Sequence, residues 1–569
     1  HGAAVNGTAV VPSELLRSRH AQMFPKLSSA QLARLEIHGA RLQIRLGDIL
    51  VEAGERPSKF LVVLSGRLEL LIPRHERYEL IYALSAGHFT GEMSMLRGSA
   101  GIVRVRAGTD CTLIAIEVEQ LRSIVQTDAE LSELFMRAFI LRRMGLLSED
   151  SCDVVLIGSQ HSADSLRLGE FLTRNTLPFK SLDVETDADA RALLERFHVQ
   201  AQDVPVVICR GQNVLKNPSN FEVANCLGIN PTVDPNTIYD LLIVGAGPAG
   251  LAAAVYAASE GLNVRLVDTM AAGGQAGSSS KIENYLGFPT GISGHALAGR
   301  ALSQAQKFGA NLTVALCAVR LHTERRPFLL DLDDGSSVIA HAILIASGAR
   351  YRTPTLENLQ RFLGAGVYYA ATQLEANLCK KEDIIVVGGG NSAGQAAVFL
   401  AGTCRHVHML VRADGLADSM SQYLINRIER SPNITLHVRT QVTALEGEHE
   451  LQRVTWRCAD EAGPEQQAIG HVFMMTGASP NSSWLDGSIA LDDKGFIKTG
   501  LDLSAPELTS AGWSLARQPY LLETSHSGVF AAGDVRSGSV KRVAAAVGEG
   551  SSCVQFVHRA LTEAHGQLC

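Results

Sequence analysis

A chain of 569 residues exceeds what one hydrophobic core serves, so several domains are expected. Apolar residues make up 46% and charged residues 19%, a globular α/β-like mixture rather than a disordered one. The formal charge of −7 offers no general attraction to nucleic acid or anionic membrane, and no apolar run approaches the roughly 20 residues that span a bilayer.

The start, HGAAVNGTAVVPSELL, has neither a basic stretch nor a long apolar core, so it reads as an unstructured lead and not as a signal peptide. The ten cysteines are scattered, with no two within a few residues of each other. That predicts reduced thiols in a cytoplasmic setting, no disulfide framework and no metal site of the CxxC kind.

From about residue 30 to 125, short pieces such as KFLVVLSGRLELLI, YELIYALSAG and CTLIAIE alternate with period two between glycine and charged turns. This predicts an antiparallel β-roll, closed by the helical spacing of EQLRSIVQTDAELSELFMRAFILRRMGLL. The segment resembles a cyclic-nucleotide-binding domain, in which a Gly-Glu turn holds the ribose and a following Arg holds the cyclic phosphate. Gly91-Glu92 fits the first half, but Gly101 stands where the Arg belongs. The phosphate then lacks its charge-assisted partner, so ordinary cyclic-nucleotide binding is not expected. Arg104 and Arg106 alternate along the next strand and read as a solvated face.

Between about 152 and 228, strand-like CDVVLIGS, FKSLDV and DVPVVICRGQNVL alternate with helical spacing, a small α/β unit. The order, with Val204-Pro205 opening a strand, resembles the thioredoxin/glutaredoxin fold. There a Cys-x-x-Cys follows the first strand; here Ser159-Gln-His-Ser162 occupies those positions, and a hydroxyl cannot form a disulfide. His161 reads as a surface loop residue.

The strongest signal is YDLLIVGAGPAGLAAAVYAASEGLNVRLVDT, starting at 239. An apolar strand runs into Gly245-x-Gly247-x-x-Gly250, a small-residue helix follows, and a second strand ends at Asp268. The glycines permit a tight turn, backbone approach to a pyrophosphate, and close helix–strand packing; the acid is placed for ribose hydroxyls. A second unit, DIIVVGGGNSAGQAAVFLAGTCRHVHMLVR from 383, carries Gly388-x-Gly390-x-x-Ala393. Two dinucleotide sites imply a flavin and a nicotinamide exchanging hydride. In GVFAAGD a strand delivers Asp534 to a turn where an acid can bind a ribityl hydroxyl. Lys541 and Arg542 precede a helix whose N-terminus can face the electron-rich end of a flavin ring.

With GGQAGSSSKIENYLGFP and ILIASGA, these pieces resemble the low-molecular-weight thioredoxin reductases over roughly 237–560. The resemblance implies FAD, contacted by Gly245, Gly247, Gly250, Asp268, Gln275, Asn284 and Asp534. It also implies a nicotinamide domain inserted into a discontinuous FAD domain, and a homodimer. The resulting order is a β-roll at 1–150, a thioredoxin-like unit at 151–232, FAD domain at 233–355 and 476–569, and an NAD(P)-binding insertion at 356–475.

In that family the segment before the second glycine turn holds a Cys-x-x-Cys that relays electrons to a partner's disulfide. This chain reads YYAATQLEA, with Ala370 and Gln373 in those places, and Cys379 further on is expected to have no sulfur partner and to be an ordinary buried thiol. Arg412 stands alone where NADPH-specific members carry several basic residues, so NADPH is preferred only slightly over NADH. The favoured reading is an FAD enzyme, reduced by NAD(P)H, passing electrons from flavin directly to a non-disulfide acceptor, a small molecule or an electron carrier. A flavin-dependent oxidase or dehydrogenase of a small organic substrate is the alternative, with His526 as its candidate base. The third reading is a ligand-responsive or scaffolding flavoprotein.

Overall fold

The computed structural model describes residues 20–566, apart from 75–76, 92–94, 97–99, 102, 148–153, 160–161, 188–189, 191–193, 195–202, 210–212, 280–281, 283, 353, 364, 370, 372, 449, 461–462 and 486. The expectations for Glu92, His161 and Ala370 therefore fall outside the described residues. The chain folds as two compact units.

In the first unit, strands Ala40–Ile44, Cys111–Glu117 and Lys59–Ser65 form one antiparallel sheet. Ile49–Val51, Arg104–Ala107, Arg67–Arg74 and Arg77–Ser85 form another. Their alternating apolar faces make the roll. Helices Val118–Thr127 and Ala129–Leu147 close it, bringing Phe135 within 5.0 Å of Phe60 and 4.9 Å of Phe89, ring centre to ring centre. Edge-on aromatic packing of this kind gives the roll its dry core. Arg142 on the closing helix is buried; it donates from Nε to the Met23 carbonyl (2.9 Å) and from Nη1 to the Gly91 carbonyl (2.8 Å). Arg104 and Arg106 are not a free solvated face. Arg104 grips Glu52 through two bonds of 2.8 Å, and Arg106 pairs with Glu69, because the antiparallel register sets those acids across from them.

The same unit holds a four-stranded mixed sheet, ordered Asn213–Lys216, Val206–Cys209, Val154–Gly158, Lys180–Asp183. The first two pairings are antiparallel and the third parallel, and Val204-Pro205 is cis. This matches the thioredoxin-like order read from the sequence.

The second unit contains two parallel sheets. In the first, β1 (Ile238–Val244) leads through α1 (Pro248–Ser259) to β2 (Val264–Asp268), and β1 lies between β2 and β3 (Ser337–Ile345), all parallel. A meander, Ala318–His322 with Phe328–Leu332, extends β3 on its antiparallel side. The core of β1 is continuously apolar, as a strand covered on both faces requires. In the second sheet, α2 (Gln373–Leu378) is followed by β4 (Asp383–Val387), α3 (Asn391–Ala401), β5 (His406–Leu410), β6 (Ile434–His437) and β7 (His471–Met474). The parallel order is β7, β4, β5, β6, with Val367–Tyr368 beyond β7. The chain then returns to the first sheet: β8 (Val529–Ala531) pairs parallel with β3, and α4 (Val543–Gly566) ends the described chain.

Candidate functional site

Gly245 follows β1 with φ of +104°, and a Cβ there would stand 2.3 Å from the carbonyl oxygen of Ala346, just past β3. Only glycine takes that backbone conformation against such a neighbour. At Gly250 a Cβ would fall 1.9 Å from the Gly245 carbonyl, so the third glycine lets α1 sit on the turn. Gly247 differs. Its Cβ would meet only the Cα of Gly274, at 3.9 Å, so bare backbone at the N-terminus of α1 faces open space. A helix N-terminus with nothing projecting from it fits a pyrophosphate.

The second turn repeats this construction. Gly388 has φ of +139°, and its Cβ would lie 2.3 Å from the carbonyl of Met475, just past β7. Gly245 N–H donates to the Val267 carbonyl (2.8 Å), and Gly388 N–H donates to the Leu410 carbonyl (2.9 Å), the neighbouring parallel strand in each case. Gly390 caps α3 as Gly247 caps α1. Ala393, in the third position, is fully buried beneath Gly388.

Asp268 ends β2 as expected, but its carboxylate serves the protein's own backbone. One oxygen accepts from Ala246 N–H (2.8 Å), the other from Met270 and Ala271 N–H (2.8 and 3.0 Å). A ribose hydroxyl would share the group with these donors. Gln275 lies on the short helix Gly274–Gly277 and donates to the Ala349 carbonyl; Asn284 is exposed in a bend.

Asp534 follows β8, and burial raises its carboxyl above the usual range, with Lys541 opposing the shift. Lys541 Nζ donates to the Asp534 carbonyl (2.7 Å) and to Ser539 Oγ (2.9 Å), so it braces this turn. Arg542 is exposed immediately before α4. Since β3 runs parallel to both β1 and β8, with Ile345 beside Val244 and Ala531, the Gly245 and Asp534 turns leave the same end of the sheet. The half-buried carboxyl and the glycine turn together fit an extended flavin dinucleotide. His526 is not brought to that end. It precedes β8, beside Arg326, where burial and that guanidinium lower its pKa. Its ring lies 3.3 Å from Ser525 Oγ.

Arg412 is exposed just after β5. Arg439, which no local pattern marks, donates its N–H to the Ala413 carbonyl (3.1 Å), joining its backbone to that of the same loop. Its guanidinium contacts Asp414 and Asp460. Gln373 opens α2, exposed, and donates to Asn377 Oδ1 (3.1 Å). Cys379 corrects the sequence reading: its Sγ is 3.5 Å from that of Cys404, and both thiols are buried.

Two glycine turns of one design, each at the carboxyl end of a parallel sheet, define a two-dinucleotide oxidoreductase. The chain belongs to the pyridine nucleotide-disulphide oxidoreductase family, which matches residues 239–550. The cyclic nucleotide-binding domain family matches residues 41–128. The thioredoxin reductase of Mycoplasma genitalium is 30% identical over 56% of this chain and 93% of its own length. NADPH-dependent thioredoxin reductase 3 of Arabidopsis thaliana is also 30% identical, over 62% of this chain and 66% of that protein. Among solved structures, the thioredoxin reductase of T. acidophilum superposes with a TM-score of 0.50 at 27% identity, covering 56% of this chain and 98% of its own. The chain thus carries the FAD- and NAD(P)-binding folds of a thioredoxin-reductase-like oxidoreductase. No helix among the described residues is long and apolar enough to cross a membrane.

Proposed function

We propose that this protein is an NAD(P)H-dependent flavoprotein that passes electrons from FAD to a non-disulfide acceptor, not to thioredoxin. The observation that carries the reading is the repeated glycine-turn construction, combined with Ala370 and Gln373 where a dithiol would be needed. Bound FAD would supply two-electron redox chemistry, taking one hydride from a reduced nicotinamide and returning the two electrons to the acceptor. Gly245, Gly247 and Gly250 with the N-terminus of α1 hold its pyrophosphate, and Asp268 its ribose. Asp534 binds the ribityl chain, with Gln275, Asn284, Lys541 and Arg542 lining the remainder. Gly388, Gly390 and Ala393 seat the nicotinamide dinucleotide. Exposed Arg412 just after β5 favours NADPH slightly, its charge suiting a 2′-phosphate, while Arg439 beside the same loop is paired with Asp414 and Asp460.

This reading keeps the division into a roll at 1–150, a thioredoxin-like unit at 151–232, the FAD domain at 233–355 and 476–569, and the insertion at 356–475. It also keeps a homodimer and a cytoplasmic setting. The oxidase alternative loses ground, because its named base, His526, lies at the far end of β8 from Asp534.

The test is anaerobic mixing of the FAD-loaded protein with NADPH or NADH, followed by added acceptors. Rapid bleaching of the flavin, reoxidation by a quinone or ferricyanide, and no turnover of oxidised thioredoxin support the proposal. Turnover of thioredoxin at a rate comparable to the other acceptors overturns it.

A further inference from the structure

Cys379 lies one residue past α2, and Cys404 lies between α3 and β5. Their sulfurs are 3.5 Å apart, within the apolar cluster that includes Tyr368, Ala376, Ile384, Leu400 and Val407. The two turns are tied together by the backbone: Lys381 N–H donates to the Thr403 carbonyl (3.0 Å), and Arg405 N–H to the Glu382 carbonyl (2.9 Å). The thiols therefore face each other in a fixed frame, and a disulfide needs them only roughly 1.5 Å closer.

We propose that Cys379 and Cys404 form a reversible disulfide under peroxide, a thiol–disulfide site in the nicotinamide-binding sheet that is separate from flavin electron transfer.

The two sulfurs have different roles. Cys404 is 7% exposed and Cys379 fully buried, so peroxide reaches Cys404 first. The S–H of Cys379 and the hydroxyl of Thr403 stabilise the Cys404 thiolate and lower its pKa, whereas the interaction with Cys404 and burial push Cys379 up. Glu382 is the charged group that raises both. The Cys404 thiolate attacks one peroxide oxygen; the O–O bond breaks, and the departing hydroxide takes a proton as water. Cys379 then attacks the sulfenic sulfur: the S–S bond forms, the S–O bond breaks, and hydroxide leaves with the Cys379 proton as a second water. Two thiols have given two electrons to one peroxide.

The place in the fold separates this pair from the flavin route. Cys379 and Cys404 precede the amino ends of β4 and β5, whereas the Gly388 turn follows the carboxyl end of β4. Five strand residues intervene, roughly 16 Å of extended chain. A soluble thiol, and not reduced flavin, is the reductant for this disulfide.

The experiment uses full-length, FAD-loaded protein, reduced, desalted and titrated with hydrogen peroxide. Free thiols are then capped with N-ethylmaleimide in denaturant, and peptides are mapped by mass without reduction. A linked pair containing Cys379 and Cys404, reversed by dithiothreitol but not by NADPH, is the expected result. The fully buried Cys553 remains a capped thiol throughout. Oxidised protein melts several degrees higher than reduced protein, and Cys404→Ser abolishes that rise. The proposal is overturned if both residues are recovered as maleimide adducts or as sulfinic acids, which the wild-type map reports however the variant folds. Reversal by NADPH alone would equally overturn the separation from the flavin.

Discussion

Arg536 and Glu549 meet across the turn that carries Asp534: Nη2 lies 2.6 Å from Oε1, and both side chains are only 17% exposed. The second carboxylate oxygen accepts from Gly533 N–H (2.7 Å), so one acid from α4 fixes both the arginine and the backbone preceding Asp534. Breaking this partly buried pair leaves the guanidinium with the Ser537 carbonyl but without its carboxylate, at a cost of about 2 kcal/mol. Glu549→Ala is expected to unfold at lower denaturant and to retain FAD about tenfold more weakly, by about 1.4 kcal/mol. Urea titration and the flavin content of dialysed protein check both; unchanged flavin retention would remove Glu549 from the site.

The glycines of the first turn separate packing from ligand binding. Gly250→Ala puts a methyl 1.9 Å from the Gly245 carbonyl and is expected to destabilise the fold itself. Gly247→Ala meets nothing closer than 3.9 Å, so the protein stays folded while the methyl occupies the face proposed for the pyrophosphate. Circular dichroism and flavin titration distinguish the two: the second variant keeps its melt and loses at least tenfold in FAD affinity, about 1.4 kcal/mol.

His408 supplies a pH dependence. Burial, with His406 and His437 nearby, lowers its pKa to about 4, against the pull of Asp383 and Glu465. Its Nδ1 is 3.1 Å from His437 Nε2, a contact that needs one ring to accept. Because the folded pKa lies below the unfolded value, the unfolded chain binds the proton first as pH falls. Stability from this group is thus intact above about pH 6.5 and declines toward pH 4, by at most about 3 kcal/mol. His408→Gln should flatten the denaturant midpoint across that window; an unchanged slope would rule this histidine out.

The roll offers a gain-of-binding test. A Cβ on Gly101 would have its nearest neighbours, the Glu55 carbonyl and Pro57 Cγ, at 3.6 Å, which is ordinary contact. Gly101→Arg is expected to fold and to strengthen cyclic AMP binding ten- to hundredfold, the worth of a charge-assisted bond of about 1.5–3 kcal/mol. Fluorescence titration reads this; tight binding by the unaltered chain would contradict the role given to position 101.

Introducing a dithiol tests the proposed electron route directly. Ala370→Cys combined with Gln373→Cys should confer NADPH-dependent reduction of thioredoxin, where the unaltered chain gives none above background. Each single change should give none. An insulin-reduction assay with added thioredoxin measures it.

How far the sequence reaches can be judged at individual positions. Gly245, Gly250 and Gly388 were legible because strand, turn and helix lie in one contiguous window; the clash that requires Gly250 lies within that window, whereas those that require Gly245 and Gly388 come from Ala346 and Met475, just past strands distant in sequence. Asp268 was located correctly yet is already hydrogen-bonded to Ala246, Met270 and Ala271, which periodicity does not disclose. Arg104 and Arg106 looked solvated because alternation along a strand is silent about which acids stand across the sheet.

The order of strands, turns and small residues, written locally in the chain, determined the two nucleotide-binding folds. Tertiary structure alone decided that Cys379 meets Cys404 and that Arg439 adjoins the loop after Arg412. Crossover connections in parallel sheets join residues distant in sequence, and no local pattern records which ends they bring together.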